Sequence, residues 1–97
     1  MEAFQALDPS DRLRLVPSAT RQLGPDLLVS AGGATRPVER LTGSGPELWG
    51  YFAAGLTLAE TAARVAERMG TSPGTVEPHV LEFAGALVRA GLAEPVR

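Results

Sequence analysis

The chain has 97 residues, 44% apolar and 21% charged, with nine basic and eleven acidic side chains and a formal net charge of −2. A chain of this size buries only about 60–68% of its unfolded surface, enough for one domain with a modest core, so a doubly wound nucleotide-binding fold, an eight-fold barrel and most self-sufficient enzymes are excluded. The basic residues are all arginine and are outnumbered by acids, which leaves no cationic excess with which a free-standing nucleic-acid binder would displace counterions from phosphate.

Residues 1–11 read as a loosely docked arm ending in the turn Asp8-Pro9-Ser10-Asp11, and residues 12–97 as a single domain. Arg12-Leu13-Arg14-Leu15-Val16 alternates polar and apolar, which predicts a half-buried strand over 12–18. Leu23-Gly24-Pro25-Asp26 is a turn leading into a second strand, 26–30, and the Gly-rich stretch 31–35 connects it to a weaker third strand, 37–42. Pro37 opens that third strand, where a missing donor matters least. One antiparallel three-stranded sheet is predicted from these three segments.

Three helices follow. Gly45 before Pro46-Glu47 marks a helix start, with Leu48, Trp49 and Phe52 on its apolar face and Gly55 at its end. Thr57-Leu58-Ala59-Glu60 is a capping box, and Leu58, Ala62, Val65, Ala66 and Met69 then repeat at helical spacing up to Gly70. Glu60 and Arg64 stand four apart on the outer side as an ion pair. The last helix is predicted over 76–90, capped by Thr75, with Pro78 as its third residue and Gly91 just past its end. Residues 92–96 form an extended tail that Pro95 keeps from being a central strand. The fold class is therefore α+β and winged-helix-like: an N-terminal three-stranded antiparallel sheet followed by three helices.

No segment carries a catalytic constellation. The absence of cysteine removes disulfides, thiolate metal sites and thiol nucleophiles. His79 is the single histidine and has no neighbouring partner in sequence that would make it a general base, so it reads as a rim residue. Gly43-Ser44-Gly45 before a helix lacks the following Lys or Arg of a phosphate cradle and reads as a flexible cap. The pairs Glu77 and Glu82, and Glu60 and Glu67, read as solvated helix faces. Trp49, Tyr51 and Phe52 read as core with a polar rim. No metal, cofactor or enzymatic activity is expected. Without an 18-residue apolar run or a secretory signal at the start, no membrane contact is expected and a cytoplasmic setting follows.

The order of elements, together with Leu41-Thr42 before the first helix, Gly55-Leu56-Thr57-Leu58 opening the second, and Val80, Phe83, Leu87, Gly91 and Leu92 in the last, resembles the PqqD-like family over residues 12–93. Thr42 stands where that family usually has asparagine, and Ala84 where a larger apolar residue is common. The resemblance implies a RiPP recognition element: a non-catalytic domain that binds the leader segment of a ribosomally synthesised precursor peptide and presents the core to a modifying enzyme. That enzyme would be a radical SAM protein, a cyclodehydratase or a leader peptidase. By the same resemblance the leader adds as a strand to the third strand and packs against the third helix.

The residues themselves suit that role. The short, Pro-led third strand is a poor place to build a core, yet its edge could pair with a peptide, which makes Val38, Glu39, Arg40 and Leu41 candidate peptide-binding residues. Arg36 and Arg40 would meet acidic leader residues. On the last helix Val76, Val80, Phe83 and Leu87 cluster toward the core, leaving a surplus stripe of Leu81, Ala84 and Val88, with Gly85 at its margin, as the candidate groove wall. The alternative readings are a winged-helix DNA-binding module, whose recognition helix would here present Glu77, His79, Glu82 and Arg89, and a structural or unrelated interaction domain.

Overall fold

Val16 and Pro17 break what the alternation over 12–18 suggests is one strand. Pro17 has no N–H to give. The Val16 N–H donates to the Leu92 carbonyl at 2.9 Å, and the Ser18 hydroxyl donates back to the Val16 carbonyl at 2.7 Å. The chain therefore leaves one sheet at Val16 and enters another at Ser18. The computed structural model describes residues 7–31 and 38–96, so most of the expected arm, the Gly-rich connection, Arg36, Pro37 and the last residue lie outside the described residues.

The elements run β1 (Arg12–Leu15), β2 (Ser18–Leu23), β3 (Asp26–Ala31), β4 (Glu39–Leu41), α1 (Gly45–Ala53), α2 (Leu58–Met69), α3 (Pro73–Arg89) and β5 (Ala93–Val96). The result is a small α+β domain of antiparallel strands and three helices. The single sheet expected from the sequence is replaced by two: β1 pairs with β5, and β2, β3 and β4 form a three-stranded sheet in that order. Nothing in Ser-Ala-Thr-Arg-Gln-Leu announces β2 as a strand, because five of its six residues are exposed and neither face carries an apolar alternation.

The tail predicted to be merely extended is strand β5, in the register Leu13↔Pro95 and Leu15↔Ala93. The bond from Val16 to the Leu92 carbonyl puts the even-numbered residues of β1 in the pairs that exchange hydrogen bonds. Pro95 therefore falls in a non-exchanging pair, with its nitrogen on the outer edge, where proline is tolerated. Arg14 and Glu94 bridge the two strands at the surface.

The helices follow their sequence signals closely. Pro46 lies in the first turn of α1, which buries Leu48, Trp49 and Phe52. Thr57 and Glu60 form the full capping box on α2, with N–H to oxygen distances of 3.0 and 2.8 Å, and Gly70 ends the helix at φ +71. Since the Glu60 carboxylate is taken by the Thr57 N–H, Arg64 acts on it only as a nearby charge and the expected contact pair does not form. Leu58, Ala62, Val65 and Ala66 are buried as predicted, whereas Met69 is 61% exposed.

Helix α3 begins earlier than predicted, at Pro73 behind Ser72 rather than behind Thr75. Proline suits that first position, and the earlier start makes Pro78 the sixth helical residue. The Gly74 carbonyl thereby loses its helical donor, at a point where Gly74 and Pro78 are both exposed to water.

Residues 7–11 are not loosely attached. The Ala59 and Leu58 N–H groups donate to the Pro9 and Asp11 carbonyls at 2.8 and 2.9 Å, and Leu7 packs against the core. The core gathers Leu48 and Phe52 of α1, Leu58 and Val65 of α2, Val80 and Leu87 of α3, and Val29 and Leu41 of the sheet. No helix among the described residues is long and apolar enough to cross a membrane.

Candidate functional site

Strand β4 pairs with β3 on one side only, in the register Leu27↔Leu41, Leu28↔Arg40 and Val29↔Glu39. The direction of its backbone groups follows from the neighbouring hairpin. Gly24 at φ +60 and Pro25 make a two-residue loop, so Leu23 and Asp26 are the hydrogen-bonded pair that closes it. Alternation along β3 then turns Leu28 toward β2, and turns Leu27 and Val29 toward β4. The exchanging pairs between β3 and β4 are therefore Leu27 with Leu41 and Val29 with Glu39. The N–H and C=O of Arg40 point away from the sheet, to the free edge.

Side chains on β4 alternate accordingly. Leu41 faces the helices and is buried, with Glu39 half-buried on the same face. Arg40 lies on the outer face, where its guanidinium holds Asp26 of β3 at 2.7–2.8 Å. The guanidinium expected to meet an acidic peptide thus already has a partner within the sheet, in an exposed ion pair. Val38, just before the strand, is 59% exposed.

Helix α3 meets the end of β4 and the turn that follows it, and two contacts define which flank it presents. Gly45, at the turn from β4 into α1, is pressed between Leu41 and Phe83; a methyl group there would sit 3.2 Å from the Leu41 Cβ and 3.3 Å from the Phe83 ring. Phe83 in turn stacks on Phe52, with ring centroids 6.2 Å apart. One turn earlier on α3, the His79 Nε2 is 3.0 Å from the Ser44 hydroxyl. The flank bearing His79 and Phe83 thus lies along the end of β4, with Ala86 next on the same side.

The stripe of Leu81, Ala84, Gly85 and Val88 is on roughly the opposite side of α3 and does not face β4. Ala84 is fully buried and belongs to the core, correcting its reading as a groove wall, and Leu81 and Val88 are half-buried against that core. Gly85 is buried as well, with the Arg89 guanidinium 3.2 Å from where its Cβ would stand. The sequence could not show which flank is used: Ser44 and His79 are 35 residues apart, and Phe83 joined the core set by its periodicity alone.

The line along which α3 approaches the end of β4 closes at the Ser44–His79 contact. There it meets a pocket of about 430 Å³ whose walls include Val65, Met69 and Val76, with Arg68 at its rim. Arg68 is held by Glu47 of α1 through two hydrogen bonds at 2.6 and 2.8 Å, and the Tyr51 hydroxyl donates to the same carboxylate at 3.0 Å. The Arg68 hydrogen bonds hold the Glu47 carboxyl below its ordinary range against the opposing effect of burial, and the bond to Glu47 raises the Tyr51 phenol. This triangle ties α1 to α2 and holds Arg68 in place beside the pocket.

The Ser44–His79 pair has a hydroxyl next to an imidazole, but no described carboxylate hydrogen-bonds to the ring. It therefore ties the β4–α1 turn to α3 without the orienting group that a nucleophile–base pair needs. Among the described residues no group of three His, Cys, Asp or Glu could hold a metal ion. Comparisons with protein-family models, with curated proteins and with solved structures find no match to this chain.

Proposed function

We propose that this domain is a winged-helix-like, non-catalytic binder of the leader segment of a ribosomally synthesised precursor peptide, which adds as a strand to β4 in the cleft beside α3. The observation that carries this reading is the free edge of β4. The outward N–H and C=O of Arg40 offer one rung of a ladder, and the His79–Phe83 flank supplies the second wall that a bare edge lacks. Backbone bonds would set the register, while alternate peptide side chains would turn toward Phe83 and Leu41 or toward water.

Catalysis belongs in this reading to a partner, a radical SAM protein, a cyclodehydratase or a leader peptidase, for which the domain raises the effective concentration of substrate. Ordering a disordered leader costs a few kcal/mol, so affinity between micromolar and nanomolar is expected. The test is a fluorescence titration with the leader of a precursor peptide encoded beside this chain's own gene, set against duplex DNA at two salt concentrations. Saturable binding of the leader and none of the duplex supports the proposal. Tight, salt-sensitive binding of the duplex would replace it with a DNA-binding module, against which the exposed Glu82 carboxylate on α3 already argues.

A further inference from the structure

We infer that the segment taken up by the β4–α3 cleft is cationic, carrying Lys or Arg at the positions that alternate with its buried apolar side chains. This rests on the strand-addition reading and adds to it the chemistry of the occupant. Two carboxylates border the cleft. Glu39 lies on the helix-facing side of β4, half-buried beside the buried Leu41. Glu82 lies on the solvent-side lip of α3, at three and four residues' spacing from His79 and Ala86 on the flank that faces β4.

Neither carboxylate has an ion pair or hydrogen bond among the described residues, unlike Glu47, Glu60 and Glu94, which all have partners. Among the described residues, the cations of β4, α3 and the neighbouring α2 rim are committed elsewhere. Arg40 holds Asp26 on the opposite face of the sheet, Arg68 holds Glu47, and Arg89 has a partner of its own. His79 is hydrogen-bonded to Ser44. Among the described residues, the cleft therefore offers two unanswered negative charges beside the apolar side chains of Leu41 and Phe83. An acidic peptide entering it would be repelled from both walls, whereas a basic one meets a partner on each.

Phage display of a random peptide library on the folded protein tests this, with Arg40→Pro as the counter-selection target so that only edge-dependent binders survive. The expected result is enrichment of peptides alternating apolar residues with Lys or Arg. A synthetic copy of the strongest binder should lose about five- to tenfold in affinity at low salt on Glu39→Gln/Glu82→Gln, with an unchanged circular dichroism spectrum. Enriched peptides that are acidic or neutral, or that bind the double variant as tightly as the parent, would overturn the charge inference and leave the strand-addition reading standing. If no peptide prefers the parent over Arg40→Pro, strand addition itself fails, and the inference with it.

Discussion

The helical pair and the three-stranded sheet are built on different terms. Helices α2 and α3 bury Leu58, Ala62, Val65 and Ala66 against Val76, Val80, Ala84 and Leu87, and α2 is closed by a capping box at one end and a left-handed glycine at the other. In the sheet, β3 contributes Val29 and Ala31 to the core, β4 contributes Leu41, and β2 contributes no buried side chain at all. The outer strands serve the fold mainly through their backbones, and among the described residues each has one edge without a strand partner. What separates them is the neighbour: β2 makes its main contacts with β3 alone, while the end of β4 meets the His79–Phe83 flank of α3. A bare edge is an aggregation hazard, and an edge with a second wall is a place to hold a strand.

The largest effect belongs to the helical side. Leu87 is 3% exposed, and Leu87→Glu buries an unpaired charge whose cost of several kcal/mol rivals the whole stability of a domain this size. The expected outcome is a chain without a cooperative melting transition. Val88→Glu, at a half-buried neighbouring position on the flank away from β4, should lower the melting temperature only modestly and leave peptide binding intact. If Val88→Glu abolished binding in a folded protein, the peptide would lie on the opposite flank of α3 and the contrast between the two sides of that helix would be broken.

A matched pair of prolines tests the contrast between the two edges directly. Arg40→Pro removes an outward donor from β4. By the same alternation the Thr20 N–H points outward from β2, so Thr20→Pro removes the equivalent donor there. Both variants should remain folded by circular dichroism, because neither removed donor is used in the sheet. Leader binding should fall at least about tenfold for Arg40→Pro, which removes a backbone hydrogen bond and bends the edge. It should be unchanged for Thr20→Pro. Equal losses would mean that the wall beside β4 plays no part.

The sequence was legible where local chemistry and burial agree. The capping box of Thr57 and Glu60, Gly70 at the end of α2, the Gly24-Pro25 turn and the buried triplet Leu48, Trp49 and Phe52 are all local signals, and all appear where they were read. Strand β2 was illegible because a strand exposed on both faces has no apolar period to detect. The start of α3 was misplaced because Ser72-Pro73 and Thr75 offer competing caps, and the apolar pattern that would decide between them begins only at Val76. The cleft was legible on its β4 side, through a short strand with little to bury. Its α3 side was not, because the choice of flank is made by Gly45 and Ser44, far along the chain from the helix they touch.

The smallest effect lies at an imperfection in the better-packed half. Thr61 on α2 is fully buried, and among the described residues its hydroxyl is the one buried side-chain polar atom without a hydrogen-bond partner. Leaving such a group dry costs about 1–3 kcal/mol, whereas replacing it with a methyl group of similar volume creates little cavity and removes the penalty. Valine and threonine also differ little in helix propensity, so the backbone term is nearly silent. Thr61→Val should therefore stabilise the domain by about 1 kcal/mol, a rise of roughly 4–8 °C in the melting temperature for a chain this short. Leader affinity should not move, because Thr61 lies inside the core rather than along the cleft. A fall in melting temperature would show that the hydroxyl does find an acceptor, with the Thr57 carbonyl one turn back as the nearest candidate on the helix. In that case the interior of the helical pair is fully satisfied, and no buried side-chain polar atom among the described residues lacks a partner.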